Sequence, residues 1–267
     1  MVEIDLQTRL KARRAVEEVM ARRLRARGQS KAYLVSYPRS GNTLVRQYFS
    51  ILQGRPQRSV YDGDVVNPLG AGLTRALDHV ELIKSHQAPQ ADGPWIYLVR
   101  DGRNAALSFL YMSFLFGGHQ YYRLNELYDG LRHLDEIEGF WGDHVAEALD
   151  QAKRRPVLFA RYEDLVNSPQ KTLARMAEFL GAQLSAELLT DCVRRLSESD
   201  SYASNPYNGY IYEPVKNSIY DILKRHRRQN YWRLIFDQRS KRYFHERGGT
   251  KLLLHFGYEQ SGDWWRE

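Results

Sequence analysis

The chain has almost no cysteine, and it contains no apolar run long enough to cross a membrane. Cys192 is the single cysteine among 267 residues, so no disulfide can form within the chain, which fits a reducing compartment. No stretch approaches the roughly 20 apolar residues of a membrane span. The residues after Met1 are charged and lack the apolar core of a signal peptide. We therefore expect a soluble, cytoplasmic protein with no membrane partner.

Several binding motifs are also missing from the sequence. There is no zinc-ligand spacing, no aromatic RNA-binding strand and no long basic tail, so we expect no nucleic-acid partner. The nucleoside-triphosphate motif G-x-x-x-x-G-K-[ST] is absent, and no cluster of metal ligands is visible. The net charge of +7 is compatible with nucleic acid, an anionic surface or a small polyanion, and does not choose among them.

The pattern of the chain predicts a single α/β domain with a central parallel β-sheet flanked by helices. Short apolar runs rich in β-formers predict strands at 33–35, 80–84, 95–99 and 156–160. Helical spacing predicts helices that begin near residues 42 and 103, one that covers 128–152, one from Pro169 to Gly181 with Ser168 as its N-cap, and one over 184–197. The pattern of residues 1–28 predicts an N-terminal helical extension. Residues 29–267 are expected to form the domain itself.

The stretch from Lys31 to Leu52 predicts a strand, a tight polar loop and the start of a helix. Backbone N–H groups at such a helix start point at one spot, with the positive end of the helix dipole behind them. A glycine lets the backbone approach a ligand, and an arginine offers a planar fork that suits phosphate. A simple turn would use similar residues, so phosphate binding and a plain turn both stay open for this stretch. The polar residues of the loop are Arg39, Ser40, Gly41, Asn42 and Thr43.

Further polar residues follow the ends of other predicted strands, where parallel sheets place their ligands. Lys84 is the last residue of one predicted strand and His86 follows it, and Arg100 follows the next strand, with Ser108 eight residues later in a predicted helix. Taken singly, a surface ion pair or a buried structural histidine would explain each of them. The basic run over 225–228 is by itself typical of solvated surface.

Together these motifs resemble the sulfotransferases that use 3′-phosphoadenosine 5′-phosphosulfate (PAPS), in particular their cytosolic small-molecule branch. The segment 37–43, YPRSGNT, is similar to the family's 5′-phosphosulfate loop, usually Y-P-K-S-G-T-T. Arg100 and Ser108 have the spacing of the family's 3′-phosphate pair. The similarity extends from about residue 31 to 258.

The resemblance also assigns the remaining site residues. Lys84-Ser85-His86 resembles the K-T-H that carries the catalytic base, so the implied catalytic residues are His86, Arg39 and Lys84. Tyr162, in RYEDL, resembles the tyrosine near the adenine. The segment 225–232 resembles the R-K-G-x-x-G-D-W segment that closes over the nucleotide, which implies nucleotide contacts from Arg225, His226 and Arg227.

The family implies a P-loop-kinase-like sulfotransferase fold and transfer of a sulfuryl group from PAPS to a hydroxyl or amine of a small organic acceptor. The products are a sulfated acceptor and adenosine 3′,5′-bisphosphate (PAP), and no metal is required. A bacterial-style role in natural-product or metabolite sulfation is the preferred expectation. A kinase-like phosphotransferase and a non-enzymatic polyanion-binding protein are the alternatives.

The sequence departs from the family pattern at several positions. Leu44 stands where the family usually has the tryptophan that stacks on adenine, and Arg39 replaces a lysine. Arginine stabilises charge but does not readily donate a proton. Arg227 and Asn230 replace both glycines of the closing segment. The short C-terminal dimer motif of the animal enzymes has no match, so the family implies nothing about oligomeric state.

Overall fold

The structure, a computed structural model, describes residues 30–89, 91–117, 127–199 and 231–266. The predicted N-terminal extension at 1–28 and the predicted nucleotide contacts Arg225, His226 and Arg227 lie outside these residues. The domain boundary near residue 29 therefore stays a prediction. The chain divides into two compact units, which are described separately.

The first unit contains residues 30–36, 41–98 and 151–199 of the described chain and is built on the predicted sheet. The strands are β1 (Ser30–Val35), β2 (Val80–Ser85), β3 (Trp95–Val99) and β4 (Val157–Arg161), in the order β2-β1-β3-β4. β1 pairs in parallel with both β2 and β3. The helices of this unit are α1 (Asn42–Gln53), α5 (Tyr162–Asn167), α6 (Pro169–Phe179) and α7 (Ala186–Glu198).

Continuous apolar runs form the inner strands because both faces of this sheet are covered. All five residues of β3 are buried, and so are the last four of β1. Alternate side chains of β1 and β3 pack with apolar residues from one face of α1 and from α6 in one core, which includes Leu34, Val45, Phe49, Ile96, Leu98, Leu173 and Met176. The predicted central parallel sheet with flanking helices is confirmed.

The second unit contains residues 37–40, 99–117, 127–150 and 231–266 of the described chain, and it holds no complete strand among them. Its described helices are α2 (Gly102–Gly117), α3 (Leu127–Glu138), α4 (Trp141–Gln151), α8 (Gln238–Glu246) and α9 (Gly249–His255), with short 3₁₀ turns at Tyr231–Leu234 and Trp264–Arg266. The fully buried guanidinium of Arg103 lies 3.6 Å from the ring centre of Trp232 and 4.5 Å from that of Trp264. The same arginine forms ion pairs with Asp101 and Glu259.

The prediction of one helix over 128–152 is wrong. The chain breaks between α3 and α4 at Gly139, whose φ of +79° is left-handed and ends the first helix. The helical spacing continues across the break, which is why the sequence pattern hides it. Pro169 begins α6 and Gly181 follows its end, as predicted, but the hydroxyl of Ser168 makes no capping hydrogen bond.

The start of α2 generates a test of packing in the second unit. A Cβ on Gly102 would overlap the buried indole ring of Trp141. We expect Gly102→Ala to lower the free energy of unfolding by about 1–3 kcal/mol, because overpacking forces neighbouring side chains to shift. Urea denaturation measures this loss. Gly262→Ala, where a Cβ meets open space, is the matched control, and equal stability of the two variants would contradict the packing described.

Candidate active site

The loop after β1 has a left-handed backbone at two of its residues. φ is +66° at Arg39 and +104° at Gly41. For a side-chain-bearing residue such as Arg39 this conformation costs of order 1 kcal/mol or more, and residues of this kind cluster at ligand sites. At Gly41 an added Cβ would lie 2.5 Å from Cδ2 of Tyr162, so the tyrosine ring packs directly on the glycine backbone. The predicted nucleotide residues Gly41 and Tyr162 are therefore neighbours.

The helix that follows the loop begins without features that would compete with an anion. Gly41 is the N-cap of α1 and provides no side-chain cap, and no acidic residue stands in the first turn. The first N–H groups of a helix have no partner within the helix and carry the positive end of its dipole. Thr43 is exposed in this turn. The start of α1 thus suits a phosphate or sulfate group.

Ser40 carries an unsatisfied polar atom in the same loop. Its side chain is 1% exposed, and its hydroxyl has no hydrogen-bond partner among the described residues. Leaving a buried hydroxyl unpaired costs roughly 1–3 kcal/mol. An anionic ligand in the loop would accept a hydrogen bond from this hydroxyl and remove that cost.

Arg39, Arg100 and Ser108 meet in the second unit. Nε of Arg39 donates a hydrogen bond to Oγ of Ser108 over 3.3 Å, and a terminal nitrogen of Arg100 donates to the backbone oxygen of Arg39 over 2.8 Å. The predicted 5′-phosphosulfate arginine therefore touches the predicted 3′-phosphate pair. Two guanidinium groups and a hydroxyl, brought together from the loop after β1, the end of β3 and α2, suit an anion with more than one charged group.

Ser36 connects two other predicted residues in the first unit. The amide nitrogen of Asn42 donates to Oγ of Ser36 over 2.8 Å, and Nδ1 of His86 lies 3.0 Å from the backbone oxygen of Ser36. A carbonyl oxygen only accepts hydrogen bonds, so Nδ1 of His86 carries the proton of the neutral ring. Nε2 is then the nitrogen that can take up a proton. This half-buried histidine has the tautomer that a general base at Nε2 needs.

Lys84 forms an ion-pair trio with Asp64 and Arg46, two residues that lie outside the sequence motifs. Nζ of Lys84 and a terminal nitrogen of Arg46 each lie 2.7 Å from an oxygen of the Asp64 carboxylate. Burial alone would raise the pKa of Asp64, but hydrogen bonds and charge from Lys84 and Arg46 outweigh it and lower that pKa to about 2. Asp64 is therefore ionised at neutral pH, and two cations share its charge.

Sequence reasoning missed four residues around Lys84 and His86: Ser36, Arg46, Tyr61 and Asp64. Arg46 gave a usable signal, because it lies on the buried face of α1 and a buried arginine requires an acceptor. Asp64 and Tyr61 lie in a loop with no motif. Leu44, at the position of the family's adenine-stacking tryptophan, packs against the core of the first unit.

A parallel sheet whose first strand is followed by a left-handed glycine and the start of a helix is the arrangement of phosphate-binding α/β proteins. A family model described as a sulfotransferase domain matches residues 71–253, which is more than half of the chain. The chain therefore belongs to the sulfotransferase domain family. The matched region contains Lys84, His86, Arg100, Ser108 and Tyr162, and the loop at 39–43 precedes it.

Known relatives are similar to the chain at low identity. Mouse sulfotransferase 1E1 is 22% identical over 205 residues, a match that covers 68% of this chain and 68% of the mouse protein. The human sulfotransferase 1E1 is 24% identical, with 68% and 69% covered. Mouse sulfotransferase 1B1 is 28% identical over 126 residues, with 45% of this chain and only 40% of the mouse protein covered.

Two solved structures show the same fold. Mouse sulfotransferase SULT7A1, complexed with PAP, superposes with a TM-score of 0.58 at 21% identity and covers 81% of this chain and 82% of its own. Retinol dehydratase in complex with androsterone and PAP superposes with a TM-score of 0.55 at 17% identity, with 84% and 80% covered. The predicted sulfotransferase fold is confirmed.

None of the helices in the described ranges is long and apolar enough to cross a membrane. Within the same ranges no group of three or more histidine, cysteine, aspartate or glutamate side chains is arranged to hold a metal ion.

The pKa of Asp64 generates a prediction for stability against pH. A carboxylate whose pKa falls from 3.8 to about 2 on folding stabilises the protein above pH 4 or so, and this contribution is lost as the pH falls toward 2. After discounting for the exposed third of the side chain, we expect it to be about 1 kcal/mol. Urea denaturation of wild type and Asp64→Asn between pH 6 and pH 3 measures it. The difference should shrink with falling pH, and a difference that is constant with pH would contradict the ion-pair trio.

Proposed function

We propose that the protein transfers the sulfuryl group of PAPS to a hydroxyl or amine of a small organic acceptor, giving PAP and a sulfated product. The observation that carries this proposal is the contact of Arg39 with Ser108, together with the bond from Arg100 to the Arg39 backbone. In a member of the sulfotransferase family, these are the groups that the sequence motifs assign to the two anionic ends of one nucleotide.

In this proposal each end of the nucleotide has its own residues. The loop residues Arg39 to Thr43 bind the 5′-phosphosulfate, and Arg100 and Ser108 bind the 3′-phosphate. Tyr162, packed on Gly41, lies near the adenine. Arg225, His226 and Arg227 close over the nucleotide, a role that rests on the motif alone. Some solved proteins of this fold are complexes with PAP, which supports the choice of nucleotide.

The chemistry follows from what an in-line sulfuryl transfer requires. By analogy with phosphoryl transfer, the transition state is loose, and negative charge builds on the bridging and equatorial oxygens. Arg39 and Lys84 stabilise this charge, and Nε2 of His86 takes the proton of the acceptor. Arg39 does not readily give up a proton, so the leaving phosphate departs as an anion held by charge and hydrogen bonds. No step calls for a metal.

The acceptor belongs to the class of small organic molecules. Retinol dehydratase, which shares this fold, has been solved in complex with androsterone and, in a second structure, in complex with retinol. Phenols, alcohols, sugars and amines are all candidates here. Incubating the protein with PAPS and a panel of these four classes, followed by mass spectrometry, identifies the product that gains a sulfuryl group. A cytoplasmic location stays a prediction from the sequence.

Calorimetry with nucleotides separates this proposal from its alternatives. We expect PAP to bind tightly without Mg²⁺, and ATP with Mg²⁺ to bind at least 10-fold more weakly, because Arg100 and Ser108 recognise a 3′-phosphate. Tighter binding of ATP would favour a kinase-like enzyme. Binding to polyanions alone, with a steep dependence on salt, would favour a non-enzymatic polyanion-binding protein.

Two variants test the 3′-phosphate contact, and a third serves as their control. Arg100→Ala and Ser108→Ala should weaken PAP more than they weaken adenosine 5′-phosphate, which lacks the 3′-phosphate. Arg194→Ala removes an exposed arginine on α7 and should leave both affinities unchanged. Equal losses for both ligands would remove the 3′-phosphate role from Arg100 and Ser108.

The role of His86 generates a separate kinetic prediction. His86→Ala should reduce kcat about 100-fold or more, because the acceptor loses its base, while PAP affinity changes little. The rate of PAP formation from PAPS, with the acceptor found in the panel, measures this. His79→Ala is the matched control, since His79 also binds a backbone oxygen through a ring nitrogen. Turnover of His86→Ala at the wild-type rate would exclude His86 as the base.

A further inference from the structure

The residues from Gln57 to Val66 form a closed loop beside the strand that carries Lys84. The backbones of Gln57 and Val66 exchange two hydrogen bonds of 2.8 and 2.9 Å, which close the loop at its ends. One side of this 57–66 loop runs along β2. There the backbone nitrogen of Lys84 donates to the backbone oxygen of Arg58, and the backbone oxygen of Lys84 accepts from the backbone nitrogen of Val60. The loop is thus fixed to the strand at the position of the predicted catalytic lysine.

Arg46 fixes the same loop from the side of α1. Its side chain is 1% exposed, and one terminal nitrogen donates to the backbone oxygens of Gln57 and Asp64, both over 2.8 Å. Its other terminal nitrogen binds the Asp64 carboxylate. Because a buried arginine without a counter-charge is strongly destabilising, this contact holds the carboxylate in one place. Arg46 therefore fixes the position of Asp64 independently of Lys84.

The second carboxylate oxygen of Asp64 receives the ammonium of Lys84 over 2.7 Å. A lysine side chain is flexible, and a fixed acceptor removes much of its freedom in advance. Two cations share one carboxylate, so the trio keeps one net positive charge. A lysine paired with a carboxylate of its own would form a neutral pair and offer much less attraction to an anionic sulfuryl group.

The 57–66 loop also contacts His86. The hydroxyl of Tyr61 accepts a hydrogen bond from the backbone nitrogen of His86 over 3.1 Å, and the two rings lie 5.8 Å apart. Nζ of Lys84 lies 5.3 Å from the centre of the Tyr61 ring. One loop therefore touches both residues to which the proposed mechanism gives chemical roles in this unit.

We propose that Asp64, anchored by Arg46, is a positioning residue that holds Lys84 in the geometry needed for sulfuryl transfer. The inference rests on the proposed function, because it presumes that Lys84 acts on the sulfuryl group. Asp64 touches neither donor nor acceptor in this scheme. Asp64 affects the rate of transfer only through Lys84. The Asp64 substitution should therefore have little further effect on kcat once Lys84 is replaced.

The test is a double-mutant cycle on the rate of PAP formation from PAPS with 4-nitrophenol as acceptor, or with water if 4-nitrophenol gives no added rate. We expect Asp64→Asn to reduce kcat about 10-fold and Lys84→Met to reduce it at least as much. The double variant should match Lys84→Met within about 3-fold, because Asp64 has nothing to position once the ammonium is gone. PAP affinity should stay within about 3-fold of wild type throughout.

Asp191→Asn is the matched control. Asp191 also bridges two cations, Arg194 and Arg195, and its side chain is 29% exposed against 32% for Asp64. It should leave kcat unchanged. Arg46→Met combined with Asp64→Asn removes the buried charge together with its partner, so this variant guards against a simple loss of folding. It should show the same fall in kcat as Asp64→Asn.

The outcomes separate the two proposals. If Lys84→Met slows turnover but Asp64→Asn does not, or if the two losses multiply in the double variant, the positioning role is wrong while the proposed function stands. If Lys84→Met turns over PAPS at the wild-type rate, the role proposed for Lys84 is wrong. If no variant, wild type included, forms PAP from PAPS, the proposed sulfotransferase function is wrong.

Discussion

The left-handed turn between β1 and α1 is the constraint on which the site depends. Within six residues the chain leaves a buried strand and enters a helix, which requires positive φ at Arg39 and Gly41. At Gly41 the missing side chain admits the ring of Tyr162. At Arg39 the strained backbone is accompanied by a side chain bonded to Ser108 and a carbonyl bonded to Arg100. These bonds offset the strain and place positive charge at the loop.

The sequence predicts the elements of this arrangement because each has a local cause. An apolar run forms a strand, a glycine after a polar turn permits positive φ, and helical spacing marks α1. The same reasoning failed at Gly139, where the apolar spacing continues through a left-handed residue and two helices look like one. Local signals therefore predict the type of element better than the points at which elements end.

Contacts made by residues far apart in sequence were out of reach of this reasoning. Asp64 is an ordinary loop aspartate until the 57–66 loop closes and folds onto β2, which brings its carboxylate to Lys84 and Arg46. Ser36 likewise looks like the end of a strand, yet its two oxygens contact Asn42 and His86. The family motifs predict the groups that act on the ligand, but the residues that contact those groups follow only from tertiary structure.

The partners of the basic residues distinguish Arg103 from the cations that are predicted to bind the ligand. Arg103 is fully buried between tryptophan rings, and the carboxylates of Asp101 and Glu259 more than balance its charge, so its guanidinium offers no net attraction to an anion. Arg39 donates to a hydroxyl and Arg100 to a carbonyl, and neutral acceptors of this kind orient a guanidinium without adding negative charge. Lys84 shares its carboxylate with a second cation and so keeps part of its charge. A site for a polyanion needs cations that neutral or shared acceptors hold in place. A fully neutralised cation offers a phosphate or sulfate little net attraction.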